Sequence, residues 1–254
     1  MALIALCCYD TEENKRTEYT IRTLECLLDT VDHKRHRIIV VDNGSCKATR
    51  QHLAILRHIK VITLAENIGT AKGINTAWKL RYECGNAIKM DNDVVINQNN
   101  WVEEMESAIA KDASIGIVGL KRKDLEERPD HSNEWYRSTL YFLPHQRGAR
   151  WIPFEEVAHV MGTCQMYSSA LLDKIGYLVQ PSIYGFDDSL ASLRARIAGF
   201  RVGFLPYIDI DHIDRGDNGY TKEKHRIASQ DMKQFHEMQD RYLNGELDVY
   251  YDGN

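Results

Sequence analysis

Two carboxylates stand one residue apart near the middle of the chain, with apolar residues on both sides. They are Asp91 and Asp93. Hard divalent cations prefer oxygen ligands, and one or two carboxylates acting with substrate phosphates are the usual protein site for Mg²⁺ or Mn²⁺. Burying two acidic groups at a strand end is costly unless they are paired or bind a metal. The pattern therefore predicts a metal site, against the alternative of an ordinary surface turn.

A second acidic pair, Asp187 and Asp188, stands directly before a stretch with helical spacing that carries Arg194. Acidic residues at a helix start interact favourably with the helix dipole, so the pair has a purely structural interpretation. The functional interpretation makes one of the two carboxylates a general base. From the residues alone, both interpretations stay open.

A histidine, His212, follows the last predicted strand and stands among acidic residues. A lone histidine is more often structural than functional. Imidazole is also a common metal ligand, so His212 is a candidate to complete a metal site that begins at Asp93.

A hydrophobic strand ends abruptly in Asp42, followed by Asn, Gly and Ser. In an open α/β sheet the ligand crevice lies at the carboxyl ends of the strands, which places Asp42 to hydrogen-bond a base or a ribose. The alternative is a turn in which the Asp side chain only ends the strand.

A polar, glycine-containing stretch follows the next predicted strand and opens a helix. Its candidate residues are Asn67, Gly69, Lys72 and Asn75. Backbone amides at a helix start attract phosphate oxygens, and Lys72 adds a positive charge. The spacing matches neither the P-loop nor the dinucleotide fingerprint, and an ordinary helix start with a surface lysine is the alternative.

The elements that must position these side chains alternate between short β-branched runs and amphipathic stretches. This alternation is typical of a parallel sheet covered by helices on both faces. Strands are predicted at 2–8, 37–41, 60–64, 87–90 and 115–119. Helices are predicted at 17–30, 47–56, 69–82 and 101–110. The first half of the chain thus has the pattern of an α/β nucleotide-binding fold.

The regular pattern fails from 121 to 156, a segment rich in Arg, His, Trp and Tyr that contains three prolines. A long irregular loop with a functional role is predicted there. Beyond it we predict helices near 170–175 and 188–198, a strand at 201–205 and a helix at 221–242. The length suits one domain, with a nucleotide-binding half at 1–120, an acceptor and catalytic half at 121–216 and a helical tail at 217–254.

The composition excludes several classes of protein. The net charge of −5, from 32 basic and 37 acidic residues, shows no basic patch of the kind that nucleic acid requires. The apolar N-terminal stretch is too short to span a bilayer, so no transmembrane segment is expected. Six cysteines without a Cys-x-x-Cys pair favour reduced thiols and a cytoplasmic protein.

Taken in order along 2–212, the five motifs resemble those of the family 2 inverting glycosyltransferases with the GT-A fold. The resemblance weakens across 121–156. It implies transfer of a sugar from a nucleotide-diphosphate donor, with UDP favoured, to a hydroxyl of a glycan or another acceptor. It also implies Mn²⁺ or Mg²⁺ as the cofactor.

The resemblance gives the donor-side motifs their roles. Asp42 is expected to hold the nucleoside, and the stretch from Asn67 to Asn75 is expected beside the diphosphate. In the family the first acid of the Asp-x-Asp motif faces the ribose and the last binds the metal. These positions match Asp91 and Asp93.

The same resemblance places the catalytic base in the second acidic pair. The family pattern is Glu-Asp six residues ahead of an arginine, so Asp188 ahead of Arg194 falls on the base. Two departures leave the choice between Asp187 and Asp188 open: the pair is Asp-Asp, and a second downstream acid found in many members is Leu190 here. Residues 162–166 match a stretch that often lines the donor sugar and acceptor.

The implied chemistry is a single displacement at the anomeric carbon with inversion. The metal takes up charge on the leaving diphosphate, and Asp188 accepts the proton of the acceptor hydroxyl. Aromatic residues of the irregular segment, namely Trp135, Tyr136 and Trp151, are expected to line the acceptor site, since aromatic faces stack on sugars.

Two other functions compete with this one. A sugar-nucleotide pyrophosphorylase has a related fold, but it requires a glycine-rich, arginine-bearing loop directly after the first strand, and Cys7 to Thr11 contains no glycine. A catalytically inactive nucleotide-sugar-binding or scaffold protein is the second alternative. The presence of Asp91, Asp93 and Asp188 argues against it.

Overall fold

Strands form where β-branched and apolar residues run together. The computed structural model of the protein describes residues 1–81, 85–123, 138–143, 151–214, 216 and 219–253. Their strands are β1 (Ala2–Cys8), β2 (Arg37–Asp42), β3 (Lys60–Thr63), β4 (Asn86–Met90), β5 (Val94–Val95), β6 (Ile115–Arg122), β7 (Thr139–Leu143), β8 (Ile152–Glu156), β9 (Cys164–Tyr167) and β10 (Arg201–His212).

Helices form where apolar residues recur every three to four positions. They are α1 (Thr17–Thr30), α2 (Lys47–Ile55), α3 (Thr70–Trp78), α4 (Trp101–Lys111), α5 (Ser169–Ile175), α6 (Asp187–Ile197) and α7 (Gly219–Leu243). Within the described ranges, no helix combines the length and the apolar character that crossing a membrane requires.

The sheet is mixed, with the strand order β3-β2-β1-β4-β9-β6-β10-β8-β7. β1 pairs in parallel with β2 and β4, and β6 pairs in parallel with β10. β9 lies between β4 and β6 and is antiparallel to both. As a result β4, β6 and β10 end at one edge of the sheet, and β9 begins at that same edge.

Alternating side chains of each strand build a core on both faces of the sheet. Ile4 and Leu6 pack on the face covered by α1 and α4, among Leu24, Trp101 and Met105. Leu3 and Ala5 pack on the opposite face, among side chains of α3, α5 and α6 that include Ile74, Leu171 and Ala191. The resulting helix–sheet–helix layers bury both faces of the sheet and so position the strand ends.

The structure confirms the predicted α/β fold class and most predicted elements to within a few residues. Three corrections apply. The segment 121–156 is not wholly irregular, since β7 and β8 form an antiparallel pair within it. The strand predicted at 201–205 continues to His212. β5 was not predicted, because a strand of two residues is too short to show an alternating pattern of apolar and polar residues. Trp135 and Tyr136 lie outside the described residues.

Candidate active site

A cavity of about 870 Å³ opens at the edge of the sheet where the parallel strands end. We call it the edge cavity. Asp91, Asp93, Asp187, Asp188 and His212 all line it. The ligand crevice of an open α/β sheet lies at this edge, since strand ends there leave side chains and backbone groups free to face a ligand.

Asp93 and His212 come together through β5. Val94 of β5 pairs with His212 at the end of β10, and the amide of Ile213 donates to the carbonyl of Asp93 at 2.9 Å. This brings His212 Nε2 to 3.3 Å from Asp93 Oδ2. An imidazole nitrogen and a buried carboxylate therefore converge on one point of the cavity.

Arg16 shares the carboxylate of Asp93. Its guanidinium donates to Asp93 Oδ2 and to Asp214 Oδ2, and it reaches Asn92 Oδ1 at 3.3 Å. All of these groups are buried. Burial opposes ionisation of Asp93, but His212 and Arg16 together hold the pKa of Asp93 well below its usual value. Asp93 is thus kept as an anion.

Asp93 and His212 suit a divalent ion. Asp93 Oδ1 is buried without a hydrogen-bond partner, as is His212 Nδ1. In the part of the chain that the structure describes, no three or more His, Cys, Asp or Glu side chains are grouped so that they could hold a metal ion by themselves. An ion with one or two carboxylate ligands takes its remaining ligands from substrate phosphates and water, so the small donor set is compatible with a nucleotide-bound Mg²⁺ or Mn²⁺.

Lys89 joins the two acidic motifs beneath the cavity. Its ammonium lies 2.9 Å from Asp187 Oδ2 and 3.6 Å from Asp91 Oδ1. Burial opposes its charge, yet the surrounding carboxylates raise the pKa of Lys89 well above its ordinary value. Burial raises the pKa of Asp91, and the nearby Asp93 and Asp187 raise it further against the effect of Lys89.

Asp188 is held by backbone amides and by a histidine. Its Oδ2 accepts a hydrogen bond from the amide of Gly162 at 2.8 Å, and its Oδ1 accepts one from the amide of Ser189 at 2.8 Å. His159 Nε2 lies 3.3 Å from Oδ2. Although burial opposes ionisation, His159, Lys89 and the Gly162 amide lower the pKa of Asp188 below its usual value.

Gly162 packs closely against Lys89 and Asp188. A Cβ at residue 162 would collide with Lys89 Nζ and would lie 3.2 Å from Asp188 Oδ2. The antiparallel direction of β9 places this glycine at the edge cavity, because the residues that precede a strand lie at its amino end. The carbonyl of Thr163 then accepts a hydrogen bond from the amide of Asp91 at 3.0 Å.

Asp42 lies beside the cavity but is fully buried. Its Oδ1 accepts a hydrogen bond from the amide of Ser45 at 2.7 Å, and its Oδ2 lies 3.3 Å from Arg50 Nε. The neighbouring Asn43 lines the cavity, as does Asn67, and their side chains are hydrogen-bonded at 2.8 Å. At this strand end, Asn43 and Asn67 rather than Asp42 therefore face the cavity.

The start of α3 is tied to the loop before α6. The amide of Thr70 donates to the carbonyl of Ile183 at 3.1 Å, and that of Ala71 donates to Gln180 Oε1 at 3.0 Å. Gly69 has a φ of 93°, and a Cβ there would lie 2.9 Å from Ile183 Cα. These amides thus already have partners, so their predicted contact with phosphate would have to displace those hydrogen bonds.

Two further residues of the predicted phosphate stretch face away from the cavity. Lys72 is exposed on α3 and does not line the cavity. Asn75 is buried. Its Nδ2 donates a hydrogen bond to the carbonyl oxygen of Leu178 at 2.9 Å, and its Oδ1 accepts one from the backbone amide of Leu178 at 2.9 Å. Asn75 therefore joins α3 to the segment after α5.

Trp151, which was predicted to line the acceptor site, is exposed and lies outside the cavity lining.

Arg16, Lys89 and Lys224 line the edge cavity and His159 contacts Asp188, but none of the four was predicted from the sequence as a site residue. Lys89 had a readable signal, because a lysine within the apolar strand β4 is rarely buried unless it is paired. Arg16 and Lys224 had none, since a basic residue near the start of a helix is common on protein surfaces. His159 is recognisable only through its contact with Asp188.

Comparisons with known proteins agree with this architecture. The sequence profile described as Glycosyl transferase family 2 matches residues 4–176, which is more than half of the chain. A search of curated proteins finds no significant match.

Solved structures of similar fold include glycosyltransferases in complex with nucleotides or nucleotide sugars. One is the mannosyltransferase PcManGT from Pyrobaculum calidifontis in complex with GDP-Man and Mn²⁺, with 17% identity, a TM-score of 0.61, and 85% of this chain and 58% of that chain covered. Another is S. aureus TarS 1-349 in complex with UDP-GlcNAc, with 18% identity, a TM-score of 0.62, and 87% and 60% covered. GalNAc-T7 with UDP, GalNAc and Mn²⁺ has 13% identity, a TM-score of 0.62, and 85% and 44% covered.

The chain thus covers 60% or less of the length of each of these proteins, and identities this low show a shared fold alone. The family assignment depends on the sequence profile, which spans β1 to the end of α5 and contains both Asp91 and Asp93. The chain belongs to glycosyl transferase family 2.

Proposed function

We propose that the protein is a metal-dependent inverting glycosyltransferase that moves a sugar from a UDP-sugar donor to a hydroxyl of a glycan or another acceptor. The observation that carries the proposal is the arrangement of two separate acidic groups around one cavity. Asp93, beside His212, lies where β4 and β10 end, and Asp188 lies at the start of α6.

Asp93 and His212, with Asp91, are the residues that would hold Mn²⁺ or Mg²⁺. When bound, the ion would supply positive charge that stabilises the leaving diphosphate, an effect of several kcal/mol. His212 and Arg16 keep Asp93 ionised, Arg16 through a buried ion pair. Asn43 and Asn67, which line the cavity, would contact the nucleoside.

Asp188 is proposed as the general base. Its side chain is 21% exposed, whereas that of Asp187 is 6% exposed and is paired with Lys89. The lowered pKa of Asp188 keeps it ionised at neutral pH, which is the proton-accepting form, but it also makes the free carboxylate a weaker base. Transfer of the acceptor proton to Asp188, as the hydroxyl oxygen bonds to the anomeric carbon and the diphosphate leaves, gives inversion in one displacement.

One observation favours a second function. The guanidinium of Arg16 already neutralises Asp93, as a metal ion would. A protein that binds nucleotide sugars without a metal and without transfer would show the same contact. The two functions differ in whether Mn²⁺ raises the affinity for the nucleotide.

The test is calorimetric titration of UDP and GDP in the presence of Mn²⁺ and in its absence, followed by an assay for nucleotide release from the matching nucleotide sugar. We expect UDP to bind more tightly with Mn²⁺ than without it, and we expect slow hydrolysis of the UDP-sugar when no acceptor is present. Binding that ignores Mn²⁺, together with no release of UDP, supports the nucleotide-sugar-binding function. Failure of both nucleotides to bind contradicts both functions.

A reducing, cytoplasmic setting is part of the proposal. The described cysteines Cys7, Cys8, Cys26, Cys46 and Cys164 are free thiols, which is usual where glutathione keeps thiols reduced. Mass spectrometry of protein alkylated directly in the cell would detect any disulfide that contradicts this.

A further inference from the structure

The first turns of α7 form one wall of the edge cavity. Tyr220, Lys224 and His225 line it from this helix. The ammonium of Lys224 lies 4.6 Å from the ring centre of Tyr220 and 5.4 Å from that of Tyr184. Tyr184 belongs to the loop that leads into the acidic pair of α6, so Lys224 connects that loop to the tail helix.

Lys224 has no carboxylate within ion-pair distance in the described part of the chain. Its ammonium instead contacts the faces of two aromatic rings. Burial, together with the nearby positive charge of Arg16, lowers the pKa of Lys224 below its ordinary value, against the opposing effect of Asp93 and Asp91. A half-buried ammonium without an anionic partner is costly, and an anion bound beside it would offset that cost.

Arg16 also lies against the ring of Tyr220. The centre of its guanidinium lies 4.9 Å from the ring centre of Tyr220. Arg16, however, has two buried carboxylate partners, Asp93 and Asp214. Of the two cations around this ring, Lys224 is therefore the one whose charge remains available for a ligand.

We propose that Lys224 binds the diphosphate of the nucleotide donor in the cavity that Asp91 and Asp93 also line, so that α7 forms part of the donor site. The inference depends on the proposed function and extends it to a specific residue. An ammonium on a flexible stem is a common phosphate contact in proteins. Its place between two rings holds the positive charge at the cavity wall before the ligand arrives.

The competing interpretation gives Lys224 only a packing role between the two rings. The two interpretations differ in the stability of the free protein. A packing lysine stabilises the fold, so replacing it with methionine costs stability. A lysine kept for a ligand costs stability in the free protein, so the same change leaves the fold equally stable or more stable.

The experiment compares Lys224→Met with Lys222→Ala, an exposed residue two positions earlier on α7 that does not line the cavity. Thermal unfolding is measured without nucleotide. Calorimetric titrations with Mn²⁺ then measure the affinity for uridine, UMP and UDP, and for the guanosine series if GDP is the nucleotide that the parent protein binds.

We expect Lys224→Met to unfold at or above the parent's midpoint and to bind UDP about ten- to a hundredfold more weakly, because it lacks a charged hydrogen bond to phosphate. Affinity for uridine stays unchanged, and Lys222→Ala behaves as the parent. Parental UDP affinity in Lys224→Met, or an equal loss for uridine and UDP, overturns the inference alone. If the parent protein binds neither UDP nor GDP, the proposed function fails and this inference fails with it.

Discussion

The ammonium of Lys89 lies 2.9 Å from Oδ2 of Asp187 inside the protein, with side-chain exposures of 4% and 6%. Lys89 is on β4 and Asp187 begins α6, so this ion pair joins the strand that leads to Asp91 with the helix that carries the acidic pair. Breaking a buried ion pair by removing one partner leaves an uncompensated charge, which costs about 3–5 kcal/mol.

Replacing Lys89 with methionine should therefore lower the free energy of unfolding by several kcal/mol. Adding Asp187→Asn to that variant should recover part of the loss, because the stranded carboxylate is then neutral. Urea unfolding of the parent, both single variants and the double variant measures the coupling. Strictly additive losses would contradict an energetic link between the two residues.

Substitution of Asp188 should separate donor binding from transfer. Asp188→Asn is expected to reduce turnover by about 10²–10⁴-fold, because a base acts on the acceptor hydroxyl in the transition state. The dissociation constant for the donor should hardly change. Asp187→Asn changes the neighbouring carboxylate and should reduce the turnover of the folded protein less, although it also breaks the ion pair with Lys89 and so lowers stability.

Transfer assays and donor titrations on both variants measure the two effects. The reverse ranking would move the base to Asp187. Near-parental turnover in both variants would leave the pair as a helix-start feature only.

Replacing Asp93 should reduce the effect of Mn²⁺ on nucleotide affinity more than replacing His212 does. Asp93→Asn keeps the side-chain shape but loses the charge, so Mn²⁺ should no longer strengthen UDP binding. His212→Ala should weaken the effect of Mn²⁺ only in part, since the carboxylates and the diphosphate still hold the ion. Titrations of UDP at several Mn²⁺ concentrations measure this order.

Asp211→Asn provides the control for that experiment. Asp211 precedes His212 on β10, but its side chain is 41% exposed and faces Lys123 at 3.1 Å. Its substitution should leave the Mn²⁺ effect intact. A parental response to Mn²⁺ in His212→Ala would make His212 structural.

The contact of His159 with Asp188 should make stability depend on pH. Burial lowers the pKa of His159, but Asp188 and Asp187 outweigh this and raise it above its ordinary value, with Lys89 opposing. A raised histidine pKa stabilises the fold below the unfolded pKa of about 6.5, and the stabilisation is lost as pH rises through the folded pKa. The lowered pKa of Asp188 keeps its charge throughout this range.

His159→Gln should therefore cost more stability near pH 6 than near pH 9. Urea unfolding of parent and variant at the two pH values measures the difference. His236 is exposed on α7 and serves as the control position, where glutamine should cost little at either pH. An equal cost for His159→Gln at both values would show that the contact does not involve a charged imidazole.

Arg194 should support the fold and leave nucleotide binding alone. Its guanidinium is buried and donates to the carbonyl oxygens of Ile175, Tyr177 and Val249. Arg194→Met leaves these acceptors without a donor, so the C-terminal segment around Val249 should loosen. Limited proteolysis and thermal unfolding measure the loss, and an unchanged affinity for UDP shows that the cavity is intact. A large loss of UDP affinity in a folded variant would contradict this role.

Local patterns in the sequence determined the α/β class and most elements of the first half. Apolar spacing at periods of two and of 3.6 residues depends only on near neighbours, so β1, β2, β4 and their helices were predictable. Local patterns also predicted that Asp91 and Asp93 lie just beyond a strand and that Asp187 lies at a helix start. Position along the chain could not show which of these groups meet, because it does not specify the order of the strands.

Tertiary structure decided those meetings. His212 reaches Asp93 only because β5, two residues long, pairs with the end of β10, and Asp188 meets the Gly162 amide only because β9 runs antiparallel between β4 and β6. Arg16 pairs with Asp93 across 77 positions of the chain. Each contact exchanges water for a buried partner, and whether a charge is buried is decided by the packing of distant segments, which no local pattern contains.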